Sequence, residues 1–403
     1  MGKKILVVSQ YFFPEQFRVN DICKSWIERG YEVTVLTGIP NYPQGDYFEG
    51  YGINKRRKEK FNGINIIRIP IIPRKKSSIM MALNYLSFVI SGWFWKINNK
   101  EKFDMVFIYE VSPMTQALPA IWIAKKLQIP CYIYVMDLWP ENFEIITGIS
   151  NPIIIKILNK IVDYIYNNCN KILTASQSFK RNIQSRGINS ERIDFWPQYA
   201  EEFYRTGAIK SNKIIDDDKI NITFAGNVGV AQGLEILPLI GQKVKEDNLK
   251  IRFNIVGNGR YLETLITEVK NKDLQEFFSF IDPVPPTEIA EIFSASDFSL
   301  VCLQKNDIFS MTIPAKLQSS MACGKPILLS ASGEAQDIVK QANCGFVSNA
   351  GDYERLVENI KKIEKLDKSK IDRLGENSRR YFEDNFEKEK LLEVMDHYIN
   401  EGL

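Results

Sequence analysis

The feature that most narrows the fold is an alternation that occurs twice. Short apolar runs, Lys4–Ser9 (KILVVS), Glu32–Thr37 (EVTVLT), GINIIRIP, Asp104–Tyr109 (DMVFIY), Cys131–Met136 (CYIYVM) and Asn170–Ala175 (NKILTA), are separated by polar turns and helical patterns. Runs of this kind read as strands buried in a parallel sheet, and strand–helix alternation is the pattern of an α/β layer. The alternation lapses at WPQYAEEFYRTGAIKSNKIIDDDK, which reads as a linker. It restarts at Ile220–Ala225 (INITFA), Ile251–Val256 (IRFNIV), Phe278–Ile281, Phe298–Leu303 (FSLVCL) and Pro326–Ser330 (PILLS). Helices are expected from Pro286, at Glu334–Gln341, from Asp352 and, last, over Arg379–Glu401. With 403 residues, the chain exceeds one ordinary core and suits two domains of ~200 residues. The sequence predicts parallel-sheet α/β domains over 1–200 and 201–385, then a C-terminal helix over 386–403. Two such sheets in tandem imply a cleft, with ligands outside the carboxyl ends of the strands.

Composition removes several function classes. Apolar residues make up 45% and charged residues 25%, at a net charge of +3, so no nucleic-acid footprint is expected. Basic residues cluster at Lys55-Arg56-Arg57-Lys58 and Arg74-Lys75-Lys76, which predicts a positive face on the amino-terminal half. The cysteines Cys23, Cys131, Cys169, Cys302, Cys323 and Cys344 show no C-x-x-C spacing and read as buried thiols. A single histidine, His397, argues against a histidine-based metal site or a Ser-His-Asp triad. The amino-terminal MGKKILVVSQYF lacks the form of a signal peptide, so a cytoplasmic location is expected.

Ser77–Lys96 (SSIMMALNYLSFVISGWFWK) is the most apolar stretch and approaches the ~20 residues that span a bilayer. Asn84, Ser87 and Ser91 are spaced to share one helix face, so the segment reads as a helix with a narrow polar stripe. Its basic and aromatic flanks suit a membrane surface. The alternative is a helix under the sheet with the stripe toward solvent.

The chemistry-bearing stretch is Ser310–Gly345. Within it a helix is capped by Thr312 or Ile313, has Pro314 in its first turn and is closed by Gly324. Lys316 falls in that first turn, where a cation opposes the helix dipole and gains most with an anion in front of it; otherwise it is a surface lysine. The turn GNVGVAQG, between a strand and a helix, lets a phosphate approach the backbone at Gly226, Gly229 and Gly233. It is neither G-x-G-x-x-G nor a P-loop, and a purely structural turn is the alternative. Gly257-Asn258-Gly259-Arg260 is a further such turn, read as structural, with Arg260 in reserve as a phosphate contact.

These residues carry a resemblance. SQYFFPEQFR, TGIPNYPQG, DLWPE, AGNVGVAQGLE and TIPAKLQSSMACGKPIL together resemble the family 4 glycosyltransferases of GT-B fold. More narrowly, they resemble the bacterial subgroup that includes the L-fucosamine (N-acetyl-L-fucosamine) transferase of O-antigen assembly. The resemblance implies two Rossmann-like domains facing a central cleft, the first for acceptor and the second for donor. It also implies that the C-terminal helix packs back on the first domain. The reaction implied is transfer of a hexosamine-type sugar from a UDP-sugar, with retention and without a metal or other cofactor. The acceptor implied is a lipid-linked, polyprenyl diphosphate glycan at the inner face of the cell membrane, in O-antigen or capsule assembly.

The resemblance places the donor diphosphate against Gly226, Asn227, Gly229, Gln232 and Lys316. The family's Glu-x7-Glu pair is replaced here by Met311 and Ser319, and its Arg and Lys in the glycine loop by Asn227 and Gln232. Gln318, Ser319 or Glu334 are the candidates to hold the ribose. Asp137 and Glu141 are the catalytic candidates of the amino-terminal half, with Glu110 behind them. Asp137 orients a sugar hydroxyl or accepts the acceptor's proton; alternatively it caps the next turn. Glu15, Arg18 and Asn41 are the acceptor-binding candidates, with ordinary helix-start and turn roles as alternatives. Two other readings stay open: a nucleotide-sugar 2-epimerase on the same fold, and a non-catalytic nucleotide-sugar-binding partner.

Overall fold

The computed structural model describes residues 2–75, 77–148 and 150–401; Lys76 of the second basic cluster and the last two positions of the expected 386–403 helix lie outside them. The chain divides into two units. The first runs to Ala175 and takes in Phe179–Trp196 and the chain from Val394; the second is Ser176–Ser178 with Pro197–Glu393.

The first unit is built on an eight-stranded sheet, in the order β3-β4-β2-β1-β5-β6-β7-β8. The strands are β1 (Lys4–Val8), β2 (Glu32–Gly38), β3 (Lys58–Phe61), β4 (Ile64–Ile69), β5 (Met105–Glu110), β6 (Cys131–Val135), β7 (Lys171–Thr174) and β8 (Ile193–Phe195). All neighbours are parallel except β3, which turns back on β4 with Phe61 opposite Ile64. β1, β5 and β6 are buried on both faces, as unbroken apolar runs require. The helices are α1 (Val19–Glu28), α2 (Ser78–Asn98), α3 (Ala117–Leu127), α4 (Glu141–Thr147), α5 (Pro152–Asn167) and α6 (Gln177–Ser185). α4 occupies part of what reads from sequence as a polar loop.

α2 sits with its polar stripe inward. Asn84 is fully buried; its Nδ2 donates to the Ile72 carbonyl at 2.6 Å and its Oδ1 accepts from Gln10 Nε2 at 2.7 Å. Ser87 Oγ accepts from the Ile72 N–H at 2.9 Å, and Ser91 Oγ donates to the Pro70 carbonyl at 2.6 Å. The stripe therefore does not face solvent: it satisfies the backbone of the strand-end segment beneath it. A Cβ on Gly92 would come within 2.5 Å of Pro119, so only glycine lets α2 lie this close to α3.

The second unit has a six-stranded, wholly parallel sheet in the order β11-β10-β9-β12-β13-β14. Its strands are β9 (Ile220–Ala225), β10 (Ile251–Val256), β11 (Phe278–Ile281), β12 (Phe298–Cys302), β13 (Ile327–Ser330) and β14 (Gly345–Ser348). Its helices are α7 (Leu237–Glu246), α8 (Leu262–Asn271), α9 (Ile289–Ser294), α10 (Asp307–Ser310), α11 (Ala315–Ala322), α12 (Glu334–Ala342), α13 (Tyr353–Ile363) and α14 (Lys368–Asn385), and α15 (Lys388–Glu401) begins in this unit and passes into the first at Val394. The final helix expected over Arg379–Glu401 is broken, because Phe386 leaves helical geometry at φ −129° and is buried. The unit boundary falls after Trp196, and the return to the first unit begins at Val394. There Asp396 takes the Arg29 guanidinium and the Tyr31 hydroxyl, and Tyr398 donates to Asp194.

Candidate active site

In the second unit the chain lays β10 and β11 to one side of β9 and β12 to β14 to the other. The loops after β9 and β12 therefore leave the sheet where strand order reverses, the place where open α/β sheets bind ligands. β9 and β12 pair only through Ile222–Phe298 and Thr223–Ser299.

The turn after β9 is shaped by its neighbours. Gly226 has φ +134°, and a Cβ there would meet Lys316 Cε at 2.6 Å. Val228 N–H donates to the Asn258 carbonyl at 2.8 Å, and Tyr261 N–H donates back to the Val228 carbonyl at 3.0 Å. A Cβ on Gly257 would lie 2.1 Å from the Gly226 carbonyl oxygen, and one on Gly259 2.3 Å from that of Val228. The second glycine turn is thus a backbone support for the first. Arg260 follows it, exposed. Gln304 N–H, beyond β12, donates to the Ala231 carbonyl at 3.0 Å and anchors the far end of the glycine turn. Gly226 and Asn227 stay exposed, with the Asn227 side chain alongside Gly229.

Lys316 enters from the other side of this turn. α11 begins one residue later than its sequence cues indicate: Pro314 is the cap residue (φ −69°, ψ 134°), not part of the first turn. Lys316 Nζ donates to Gln232 Oε1 at 2.7 Å and lies 5.1 Å from the Phe224 ring centroid. Burial pulls its ammonium down to about 8. Among the described residues no carboxylate pairs with it; its bonded partner is a neutral amide. A buried cation without a counter-charge is costly, and an anion entering over Gly226 would remove that cost.

The remaining donor candidates divide. Ser319 Oγ donates to the Lys316 carbonyl at 3.2 Å, inside its own helix. Gln318 is buried, with Nε2 on the Gln198 carbonyl and Oε1 without a partner among the described residues. Glu334 is also buried, and both its oxygens accept from the Gln177 and Ser178 N–H groups and the Ser178 hydroxyl. Its carboxylate is engaged with that segment. α10 and the loop before it, missed in the sequence, border a hollow of about 330 Å³ with Gln304, Asn306, Ser332 and Gly333.

In the first unit the order reverses between β1 and β5. Glu15, expected to bind acceptor, is buried; its Oε1 accepts from the Asn41 and Tyr42 N–H groups at 2.8 and 2.7 Å, and its Oε2 from Phe12 N–H at 3.2 Å. Burial holds this carboxyl up at about 7 against those donors and the Arg68 charge. Asn41 is fully buried, with Nδ2 on the Ile39 carbonyl and Oδ1 accepting from Arg74 N–H at 3.1 Å. Both side chains are engaged within the unit and fold the loops that carry Tyr42 and Arg74. Those loops assemble an aromatic group, with Tyr11 stacked on Phe17 at 5.3 Å, Tyr42 5.5 Å from Phe17, and the Arg74 guanidinium 5.4 Å from the Tyr42 ring. Arg74 has no carboxylate partner among the described residues. Arg18 is half-buried at the start of α1. The expected positive face is partly consumed inside the unit: Arg57 donates to the Arg68 carbonyl and Lys75 pairs with Asp46.

Asp137 does not cap α4, whose cap position is Pro140. Its Oδ2 accepts from the Ser112 N–H and hydroxyl at 2.7 and 2.8 Å, and Trp139 Nε1 donates to the same hydroxyl at 3.1 Å. The loops after β5 and β6 are tied together in this way. Glu141 accepts from Asn182 Nδ2 at 3.3 Å. Glu110 is fully buried, and neither carboxyl oxygen has a hydrogen-bond partner among the described residues. Burial and the nearby Asp137 charge push its carboxyl well above the ordinary range.

Two parallel-sheet units, with a glycine turn and a half-buried lysine at the second unit's reversal point, define a protein of the GT-B class. Solved structures agree on that fold. Sucrose-phosphate synthase from Thermosynechococcus elongatus superposes with a TM-score of 0.72 at 15% identity, over 98% of each chain. HepE from Anabaena, crystallised with UDP and glucose, gives 0.70 at 13% identity over 98% of this chain and 99% of its own. Residues 17–198 match the family model Glycosyltransferase Family 4 and residues 206–381 match Glycosyl transferases group 1. The chain is a glycosyltransferase, with a family 4 domain followed by a group 1 domain. Among curated relatives, WcaI of Escherichia coli K12, named as a glycosyl transferase of colanic acid biosynthesis, is 23% identical over 81% of this chain and 83% of its own.

Proposed function

We propose that this protein moves a hexosamine-type sugar, of which N-acetylfucosamine is one, from a UDP-sugar to a polyprenyl diphosphate-linked glycan. The setting is surface polysaccharide assembly, O-antigen or capsule, at the cytoplasmic face of the membrane. The observation that carries the reading is the half-buried Lys316 ammonium, unpaired by any described carboxylate and lying against Gly226. The class of WcaI and the UDP held by HepE support it.

The donor diphosphate lies over Gly226, Asn227 and Gly229, where the backbone admits close approach, with Lys316 on one side and Arg260 in reach of the solvent edge. As the bond from the anomeric carbon to the diphosphate breaks, negative charge grows on the leaving oxygen. A preorganised ammonium stabilises that charge without reorganisation; removing one such donor typically costs about 10²–10³ in rate. The acceptor hydroxyl forms the new bond and gives up its proton, and Asp137 is the proposed group to orient or receive it. Gln318 and Ser319 remain the ribose candidates. In the acceptor unit, Arg74 and Arg18 offer charge to the acceptor's diphosphate, and Phe17 and Tyr42 offer ring faces to its sugar.

The test is a panel of nucleotide sugars incubated with polyprenyl diphosphate glycans and read by mass spectrometry. The reading expects one UDP-hexosamine to extend the acceptor. Conversion of the donor with no acceptor present would make the protein an epimerase. Donor binding without product across the panel would make it a binding partner.

A further inference from the structure

α2 is amphipathic in the opposite sense to a helix covering a soluble sheet. Asn84 is buried and Ser87 and Ser91 are half-buried, while the face turned to solvent carries a line of apolar side chains. Ile79, Leu83, Leu86, Ile90, Phe94 and Ile97 are exposed, from 38% at Leu83 to 73% at Ile79. Their i, i+3, i+4 spacing makes one stripe ~27 Å long at 1.5 Å per residue. Single exposed apolar residues need no explanation, but a continuous stripe of this length marks an interaction surface.

A second apolar strip lies nearby. α3 touches both α2 and α5, and α5 exposes Ile153 at 71%, Ile157 at 55% and Tyr164 at 38%. The charges on these three helices are almost all positive. α2 carries only Lys96, and α3 carries Lys125 and Lys126. α5 carries Lys156 and Lys160, exposed between its isoleucines, and one acid, Asp163, which is paired with Arg186. Lys125 Nζ sits 5.2 Å from the Tyr164 ring centroid, and Lys126 Nζ bonds the Lys96 and Asn99 carbonyls at the end of α2.

We infer that this α2–α5 face docks on an anionic phospholipid bilayer, with the apolar stripe at the acyl boundary and the lysines among the headgroups. Charge selects this occupant over a second copy of the chain, which would set lysines against lysines. α2 is long and apolar enough to cross a membrane, yet Asn84, Ser87 and Ser91 pin one side of it to the first unit's backbone, so it lies flat. Apolar burial and attraction to anionic lipid then act together, as in interfacial helices. The inference deepens the proposed reaction, whose acceptor is lipid-linked, and rests on that reading for its role. The docking itself needs neither donor nor acceptor.

The experiment is co-sedimentation of the full chain with vesicles of phosphatidylglycerol and phosphatidylcholine, and with phosphatidylcholine alone. Two variants accompany it: Leu83→Gln/Leu86→Gln/Ile90→Gln/Phe94→Gln and Lys156→Glu/Lys160→Glu. Wild type is expected to sediment with the anionic vesicles and at least tenfold less with the neutral ones. Both variants are expected to lose at least tenfold in partition to anionic vesicles while keeping the wild-type thermal shift with UDP. That shift shows a folded protein and reports on the donor reading separately. Wild type left in the supernatant with anionic vesicles would overturn the inference. So would a glutamine variant that binds as well as wild type, or a wild-type dimer that the glutamine variant abolishes.

Discussion

At the scale of single residues, Lys316 and Glu15 show how burial assigns opposite tasks to two charged groups. Glu15 is surrounded by N–H donors it was folded around, so its carboxyl is spent. Lys316 has one amide for company, and burial lowers it to about 8. The sign of the pH effect follows. Below about 8 the ligand-free lysine is charged and ready for a diphosphate. Above it, the free protein loses the proton that the bound state needs, so binding must take one up. UDP affinity, measured by calorimetry, is expected to fall toward tenfold per pH unit as the pH rises above about 8. Matched titrations in buffers of different ionisation enthalpy should show proton uptake growing over the same range. The sequence reveals Lys316 through its place in a capped helix, but not its burial or its partner. Glu15 and Asn41 both face inward, and no spacing rule says which side of a loop a polar residue takes.

At the scale of elements, the strands that define the sheets were legible, and β9, β10 and β11 fall at their sequence-read limits. Unbroken apolar runs have one comfortable setting, the middle of a parallel sheet. The short edge strands β3, β8 and β14 carry no clear sequence signal of their own burial, since edges bury less and need less apolar sequence. For β3 a turn signal was present: Asn62-Gly63 both take positive φ, at 47° and 83°, and Asn-Gly is the strongest short-range hairpin cue. α2 was legible as a helix with a polar stripe, while the direction of the stripe was not, because it depends on unpaired backbone groups at Ile72 and Pro70. The supporting glycine turn yields a prediction. Gly257→Ala forces a Cβ to within 2.1 Å of a backbone oxygen at φ +130°, a strain of about 1–3 kcal/mol. Chemical denaturation should show a loss of that size, and UDP affinity should fall with it because the Gly226 turn shifts. An unchanged midpoint would mean that the two turns do not support each other.

At the scale of the whole molecule, the two units repeat one plan. Each sheet grows outward in both directions from a strand laid down first, β1 or β9, and each collects its polar loops where the order reverses. Sequence periodicity shows the sheets, and the residues at the reversal points show the class. What separates the units is their chemistry: an aromatic group with Arg74 in the first, a glycine turn with an ammonium that no described carboxylate pairs in the second. The account stands on that ammonium holding a diphosphate. Its most direct test is UDP binding by calorimetry at pH 7 to wild type and Lys316→Ala, with the melting temperature of each ligand-free protein recorded alongside. The account predicts roughly 10- to 100-fold weaker binding in the variant, the worth of one charge-assisted contact of ~1.5–3 kcal/mol. It also predicts no fall in melting temperature, since an uncompensated buried charge has been removed. Equal affinity for UDP in the two proteins would contradict it.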